Sequence, residues 1–168
     1  EEDACLNEIE KVLKEIDVKD KKTGVLHVAF FGTKDYDRLF FSELSKDKGE
    51  GTYNVDITYF NSRLTNETVH LAEGYEAICI FVNDDASRNV IEALAKGGVK
   101  LILLRCAGFN NVDLDACKEY GITVLRVPAY SPYAVAEHAM SIIQTANRRI
   151  NRAYNKVKDN NFSLNGLL

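Results

Sequence analysis

The residues best suited to bind a ligand lie between positions 101 and 140, which read LILLRCAGFNNVDLDACKEYGITVLRVPAYSPYAVAEHAM. The apolar run at 101–104 is typical of a strand covered on both faces in a parallel sheet. It ends at Cys106-Ala107-Gly108, where small residues let the backbone turn and leave N–H groups free to point at a ligand. The pattern therefore predicts a binding loop at the end of this strand.

The elements that follow this loop predict a second loop at the same edge of the sheet. Residues 113–121 form an amphipathic segment that stops at a glycine, 122–127 are a second apolar strand, and Tyr130 lies between Pro128 and Pro132. Ligands of open parallel sheets bind outside the carboxyl ends of the strands. We therefore expect the loops at 106–110 and 129–131 to form one rim.

Several strings in this region resemble a known family: RCAGFNNVD, RVPAYSP, AVAEH, NRRINRAY and NFSLNGL. In this order and spacing they resemble the substrate domain of NAD-dependent D-lactate dehydrogenases, which belong to the D-isomer-specific 2-hydroxyacid dehydrogenases. The resemblance runs from about Leu26 to the end of the chain.

This resemblance implies roles for five residues. The backbone N–H groups around Ala107 and Gly108 would hold the substrate carboxylate, as oriented amides do well. Phe109 would line the pocket against the methyl group of the substrate, and the Tyr130 hydroxyl would add a hydrogen bond. Val135 would touch the nicotinamide in an intact enzyme. Without the resemblance, Phe109 is better interpreted as a core side chain and Tyr130 as a cap on its loop.

The resemblance also implies what this sequence lacks. In the family, the GxGxxG turn for NAD, the substrate-orienting arginine and the glutamate–histidine pair follow the string NFSLNGL, where this sequence ends. We therefore assign no catalytic residue, expect no cofactor to bind this chain alone, and expect no hydride transfer by it. His27, His70 and His138 do not occupy the position of the family's catalytic histidine.

Composition restricts the class of partner and of compartment. The chain has 168 residues, a net charge of -4 and no long basic run, which argues against nucleic acid and anionic membrane surfaces. No apolar stretch is long enough to cross a bilayer. The four cysteines lack metal-ligand spacing, so we expect no metal site and an intracellular, reducing compartment. The resemblance implies the cytoplasm, or a mitochondrial or other organelle matrix if a targeting segment preceded Glu1. Cys106 is better explained as a small residue at a strand end than as a reactive thiol.

Strand and helix patterns alternate five times from Val25 onward, which predicts an α/β fold. We expect a flavodoxin-like open parallel sheet of about five strands with helices on both faces. The predicted strands are 25–31, 54–60, 77–82, 101–104 and 122–127, and the predicted helices between them include 35–46, 64–72 and 90–96. The helix at 35–46 should bury Tyr36, Leu39, Phe40 and Leu44.

Asp84 and Asp85 raise the alternative of a phosphorylated receiver domain, which has the same topology. Such a domain also needs an acidic pair after its first strand, where this chain has Gly32 and Thr33. We therefore expect Asp84 and Asp85 to lie in a solvated loop and to cap the next helix.

The two ends of the chain extend the predicted substrate domain, residues 25–131. Residues 1–24 predict an amphipathic helix that packs on its own domain or binds a protein partner. Residues 132–168 predict a long helix reaching Lys158 and a tail leading into a nucleotide-binding domain that is missing here. The second half of that helix is basic, either as a solvated face or as a contact surface for another domain or subunit.

These features support two functions. The narrowly favoured one is a truncated, non-catalytic domain that serves as a structural or interaction subunit and contacts a protein partner through the N-terminal helix and the 132–158 helix. The alternative is the substrate-binding half of an NAD-dependent D-lactate dehydrogenase, which binds a small 2-hydroxy or 2-oxo acid and is completed by a nucleotide-binding domain.

Overall fold

A computed structural model of the chain describes residues 25–44 and 54–167. The predicted helix at 1–24 lies outside these residues. The chain divides into two compact units, Glu1–Pro128 and Ala129–Leu168.

The first unit is built on a five-stranded parallel sheet, as predicted. Its strands lie in the flavodoxin-like order β2-β1-β3-β4-β5. They are β1 (Val25–Phe30), β2 (Asn54–Tyr59), β3 (Ala77–Ile80), β4 (Leu101–Leu104) and β5 (Thr123–Arg126). The helices of this unit are α1 (Asp35–Leu44), α2 (Arg88–Gly97) and α3 (Leu114–Glu119), with a 3₁₀ helix at Val69–Ala72.

Each face of the sheet has its own apolar core because successive side chains of a strand alternate between the faces. One core includes Phe31, Ile80 and Leu104 together with buried side chains of α2 and α3. The other includes Phe30 and Cys79, with residues of α1 and of the outer strands packed against it. Helices therefore cover both faces, and the carboxyl ends of the strands stay open at one edge.

The orientation predicted for α1 was wrong. Tyr36, Leu39 and Phe40 are 60–63% exposed, whereas Asp37 is buried and Phe41 packs edge-on against Phe30 at 5.2 Å between ring centroids. The inward stripe is thus displaced by one residue, about 100° around the helix axis. The cause is the carboxylate of Asp37, which accepts a hydrogen bond from the Lys34 backbone N–H at 2.8 Å and lies 3.8 Å from the guanidinium of Arg105.

Asp84 lies in the turn that follows β3, and the prediction that it would be solvated was wrong. It is 4% exposed, and its two carboxylate oxygens accept the backbone N–H groups of Leu64 at 2.8 Å and Phe81 at 2.6 Å. Asp85 is exposed and accepts from the Ser87 backbone N–H, while Ser87 itself occupies the N-cap position of α2. The predicted helix at 64–72 is reduced to the 3₁₀ helix, preceded by a turn closed by Thr65 and Thr68.

The second unit contains two helices instead of the single helix predicted to reach Lys158. Helix α4 (Pro132–Arg148) starts with Pro132 in its first turn, and α5 (Ile150–Lys158) follows it. Between them Arg149 has a φ of 53°, a left-handed conformation that ends the first helix. Two of the basic side chains turn back onto the chain: Arg149 donates to the Gly166 carbonyl and Lys156 to the Asn165 carbonyl.

In the described ranges, no helix has the length and apolar character needed to cross a membrane. In the same ranges, no three His, Cys, Asp or Glu side chains come together in a group that could hold a metal ion.

Within the described residues, Cys79, Cys106 and Cys117 are buried free thiols, as predicted. Burial raises the pKa of the Cys79 thiol to about 12, although the nearby Arg105 guanidinium acts in the opposite direction. Burial likewise raises the pKa of Cys117 to about 11. At a pH between these values and the pKa of an exposed thiol, both thiols therefore stay protonated in the folded protein, whereas the same thiols in an unfolded chain are deprotonated.

This difference predicts a loss of stability at alkaline pH. An exposed thiol titrates near pH 8.5, so the stabilising contribution of Cys79 is complete below that pH and is lost as the pH rises towards the folded-state value. Between pH 8 and pH 10, urea unfolding should show the wild type losing about 1–2 kcal/mol more than Cys79→Ala. Equal losses in the two proteins would show that the thiol does not remain protonated in the fold.

The two acidic residues after β3 provide a matched pair for testing the role of Asp84. Asp84→Asn places an amide donor where two backbone N–H groups need acceptors, and should lower the free energy of unfolding by about 1–3 kcal/mol. Asp85→Asn removes the same charge at an exposed position and should cost less than about 1 kcal/mol. Urea denaturation at neutral pH measures both values, and similar costs would contradict the structural role of Asp84.

Candidate functional site

The predicted binding loop follows β4 at the open edge of the sheet. The ladder continues one residue past β4, since the Arg105 N–H donates to the Ile80 carbonyl at 3.1 Å. The Cys106 thiol then donates to the Gly108 carbonyl at 3.3 Å, which folds the loop back over the strand end. Cys106 is 8% exposed and burial raises the pKa of its thiol, so it is suited to packing and not to nucleophilic chemistry.

The consecutive backbone N–H groups of this loop, from Cys106 to Asn111, have no acceptor in the described part of the chain. Those of Ala107, Gly108 and Phe109 donate to no acceptor within residues 25–44 and 54–167. Gly108 and Phe109 are exposed and Ala107 is half-buried, so water or a ligand has access to the segment. Unpaired amides in sequence at a turn form an anion-binding concavity. The N–H groups of Ala107 and Gly108 are thus available to a ligand, and their role in holding a carboxylate stays a prediction.

Arg126, the last residue of β5, stabilises this loop, and the sequence did not single it out. Its Nη1 donates to the carbonyls of Ala107 at 3.0 Å and Pro128 at 3.3 Å, and its guanidinium lies 5.3 Å from the centroid of the Phe109 ring. Arg126 can be recognised from its pairing with Leu104 in the sheet, because this pairing brings the ends of β4 and β5 together. A cation beside three free amides increases the positive potential of the loop.

The base of the loop is joined to the turn after β3. The side-chain amide of Asn111 donates to the carbonyls of Phe81 at 3.0 Å and Asp84 at 2.9 Å. The Ala86 N–H donates to the Asn111 carbonyl, and the Asp113 N–H to the Ala86 carbonyl. These bonds hold the two turns in one arrangement.

Arg105 is a second arginine that the sequence did not identify as functional. Its side chain is only 14% exposed and lies between two aromatic rings, 4.5 Å from the centroid of Phe30 and 5.2 Å from that of Phe81. Its Nη2 donates to the Gly32 carbonyl at 3.1 Å. Arg105 therefore connects the ends of β1, β3 and β4.

The remaining predicted site residues belong to the second unit. Tyr130 precedes α4 and is 64% exposed, and Val135 in the first turns of α4 is 57% exposed. Their membership of the common rim stays a prediction. His138 is also exposed on α4, whereas His27 contacts Asp56 at 3.3 Å and His70 contacts the Glu67 carbonyl.

The turn after β1 does not suit a dinucleotide. Gly32 is followed by Thr33 and Lys34, without the further glycines of a GxGxxG turn. The Gly32 carbonyl is used by Arg105, and the Thr33 hydroxyl donates to the Phe30 carbonyl at 3.1 Å. No step of nicotinamide chemistry can be assigned to these residues.

The chain is similar in sequence to proteins of known family. A family model described as D-isomer specific 2-hydroxyacid dehydrogenase, catalytic domain, matches residues 28–161. The D-lactate dehydrogenase of Escherichia coli (strain K12) is 52% identical over 142 residues, which are 84% of this chain and 42% of that protein. A putative D-lactate dehydrogenase of Dictyostelium discoideum is 46% identical over 142 residues, 84% of this chain and 40% of that protein.

Solved structures of D-lactate dehydrogenases are similar to this chain in fold. The apo form of the Escherichia coli D-lactate dehydrogenase superimposes with a TM-score of 0.73 at 53% identity, over 84% of this chain and 43% of that one. The Aquifex aeolicus D-lactate dehydrogenase, complexed with NAD and lactic acid, gives a TM-score of 0.66 at 33% identity, over 84% of this chain and 40% of that one.

The chain spans less than half the length of these relatives. The family match nevertheless covers most of the chain, from β1 to the segment after α5. On this evidence the chain belongs to the D-isomer specific 2-hydroxyacid dehydrogenase family.

Proposed function

We propose that this chain is the substrate-binding part of an NAD-dependent dehydrogenase that interconverts a small D-2-hydroxy acid and its 2-oxo acid. The observation that carries the proposal is the set of free N–H groups at Ala107, Gly108 and Phe109, at the carboxyl end of β4. Every substrate of this class has a carboxylate next to the reacting carbon. The loop offers donors for that group without offering a group that could move a proton.

The chain's contribution to the chemistry is then binding and orientation. Adjacent amides fix the carboxylate of the substrate, and Arg126 keeps the loop in place by bonding to the Ala107 carbonyl. Phe109, 39% exposed beside Arg126, presents an apolar surface to the side chain of the substrate. NAD, held by residues outside this sequence, would supply the hydride chemistry. The Tyr130 hydroxyl and the side chain of Val135 are proposed to meet the substrate and the nicotinamide in the complete protein.

The pair pyruvate and D-lactate is the proposed substrate. The names of relatives at 52% and 46% identity support it, and lactic acid is bound in one related structure. Pyruvate should bind this chain alone weakly, because a small ligand makes few contacts to offset the entropy lost on association. We propose a reducing compartment, the cytoplasm or an organelle matrix, because the thiols of Cys79, Cys106 and Cys117, the cysteines that the structure describes, are free.

A non-catalytic interaction subunit is the second candidate. Exposed apolar side chains on α4 favour it, since Ile142 is 55% and Ile143 is 58% exposed. The native mass of the particle isolated from its source separates the candidates. Recovery in one polypeptide or complex with a chain bearing GxGxxG supports the dehydrogenase, and recovery in a complex without such a chain supports the subunit.

Substitution at Gly108 tests the role of the loop amides. Gly108→Pro removes one N–H donor and should weaken pyruvate binding by at least about tenfold, because a hydrogen bond to a charged group contributes about 1.5–3 kcal/mol. Pyruvate titration followed by amide chemical shifts in ¹⁵N NMR spectra measures the effect. Shifts in the wild type should centre on Ala107, Gly108 and Phe109.

Gly108→Ala is the matched control because it keeps the N–H. A methyl group at this position would meet only Val82 Cγ1 at 3.8 Å, an ordinary contact. It should bind pyruvate within about twofold of the wild type. If Gly108→Pro has a native-like spectrum and binds pyruvate as tightly as the wild type, the loop amides do not bind the substrate.

Substitution at Arg126 tests the support of the loop. Lys retains the charge but cannot bond both carbonyls and stack on Phe109 at once, so Arg126→Lys should weaken pyruvate binding about threefold to tenfold. Unfolding free energy should fall by less than about 1 kcal/mol because the residue is exposed. The control is Arg88→Lys, which alters an exposed arginine paired with Glu119. Equal pyruvate affinities of the two variants would contradict a positioning role for Arg126.

A further inference from the structure

A cleft of about 120 Å³ lies between the ends of β1 and β3, where the chain connections leave the sheet in opposite directions. We call it the switch-point cleft; its walls come from the residues that follow β1, β2, β3 and β4. Ligands of doubly wound sheets bind at such a point. The predicted and proposed functions use the loop after β4 and leave this cleft without a role.

The charge of the switch-point cleft is positive. Lys34, Arg63 and Arg105 line it, and Asp84 is the carboxylate among its lining residues. Both oxygens of Asp84 already accept backbone N–H groups. Asp37 is not a lining residue, but its Oδ1 lies 3.8 Å from Arg105 Nε, and its Oδ2 accepts a hydrogen bond from the Lys34 backbone N–H. Three cations thus outnumber the two nearby carboxylates.

The charged ends of two of these cations have no partner. Neither the Lys34 ammonium nor the Arg63 guanidinium forms an ion pair or hydrogen bond in the part of the chain that the structure describes. Two adjacent free cations repel each other, and a shared anion would relieve that repulsion.

Arg105 adds a second, independent observation. Its Nη1 is buried and has no hydrogen-bond partner among the described residues, although Nη2 is bonded to the Gly32 carbonyl. A buried donor of a charged group left unpaired costs about 1–3 kcal/mol or more. Because Phe30 and Phe81 hold the guanidinium in place, Arg105 cannot easily turn away to find water. The Arg105 guanidinium also lines the cleft, so its positive charge contributes to the site.

Gly32 keeps the cleft open. Its φ of 62° is left-handed, and a Cβ there would stand 3.6 Å from Arg105 Nη2, 3.8 Å from Asp84 Oδ1 and 3.9 Å from Arg63 Cγ. A side chain at this position would fill the space between the cations.

We propose that the switch-point cleft binds a small oxyanion, a phosphate or a short carboxylate. Lys34 and Arg63 neutralise its charge, and the guanidinium of Arg105, held against Phe30 and Phe81, adds a third positive charge. The cleft has a volume of about 120 Å³, which is enough to accommodate such an anion. This site uses other residues than the proposed carboxylate-binding amides of Ala107 to Phe109, so one proposal can be contradicted while the other stands.

Titration of the purified chain with inorganic phosphate tests the site, with pyruvate in a parallel titration and sodium chloride matching the ionic strength. The readouts are the ¹⁵N resonances of the Arg105 side chain and the Gly32 amide. We expect saturable shifts of both, and we expect the double variant Lys34→Gln/Arg63→Gln to weaken binding at least about tenfold. Both substituted residues are exposed, so the fold should survive the change.

The control is Lys100→Gln/Lys118→Gln, which removes the same charge from exposed positions elsewhere in the first unit. It should leave the affinity within about twofold of the wild type. Saturation by phosphate alone identifies a phosphate site, saturation by pyruvate alone a carboxylate site, and saturation by both a general oxyanion site. No saturable shift with either anion, or equal weakening in the two double variants, overturns the proposal.

Discussion

The arrangement of this edge of the sheet depends on the buried carboxylate of Asp84. It accepts backbone N–H groups from Leu64 and from Phe81, which belong to the segments after β2 and β3. Asn111 then donates to the carbonyls of Phe81 and Asp84, so the start of the segment before α3 is fixed to the same turn. A buried carboxylate persists only when its acceptors are filled. The network therefore fixes three loops by satisfying one charge.

This edge of the sheet has two cationic regions, one around Arg126 and one around Arg105. Around Arg126 the loop after β4 presents unpaired amides, and the arginine is occupied with the carbonyls of Ala107 and Pro128. Around Arg105 the guanidinium is held between aromatic rings and retains an unpaired donor. The first arrangement is the proposed site for the carboxylate of a substrate, and the second is the proposed site for a small oxyanion.

Much of the fold could be predicted from the sequence because the apolar strands and their glycine-rich turns are local signals. The order of strands followed from the handedness of the connections. The orientation of α1 could not be predicted from the sequence, because burial of Asp37 depends on Arg105, which lies 68 positions later. The break at Arg149 was hidden because a non-glycine residue there adopts a left-handed conformation. The free amides of Ala107 and Gly108 were predicted, whereas Arg126 is recognised only from its register with β4.

The central claim is that the N–H groups of Ala107, Gly108 and Phe109 hold the carboxylate of a 2-oxo acid. A crystal structure of the chain soaked with pyruvate tests this most directly. The account predicts carboxylate oxygens within about 3 Å of at least two of these nitrogens, with the methyl group towards Phe109. Pyruvate bound elsewhere while this loop carries only water would contradict it.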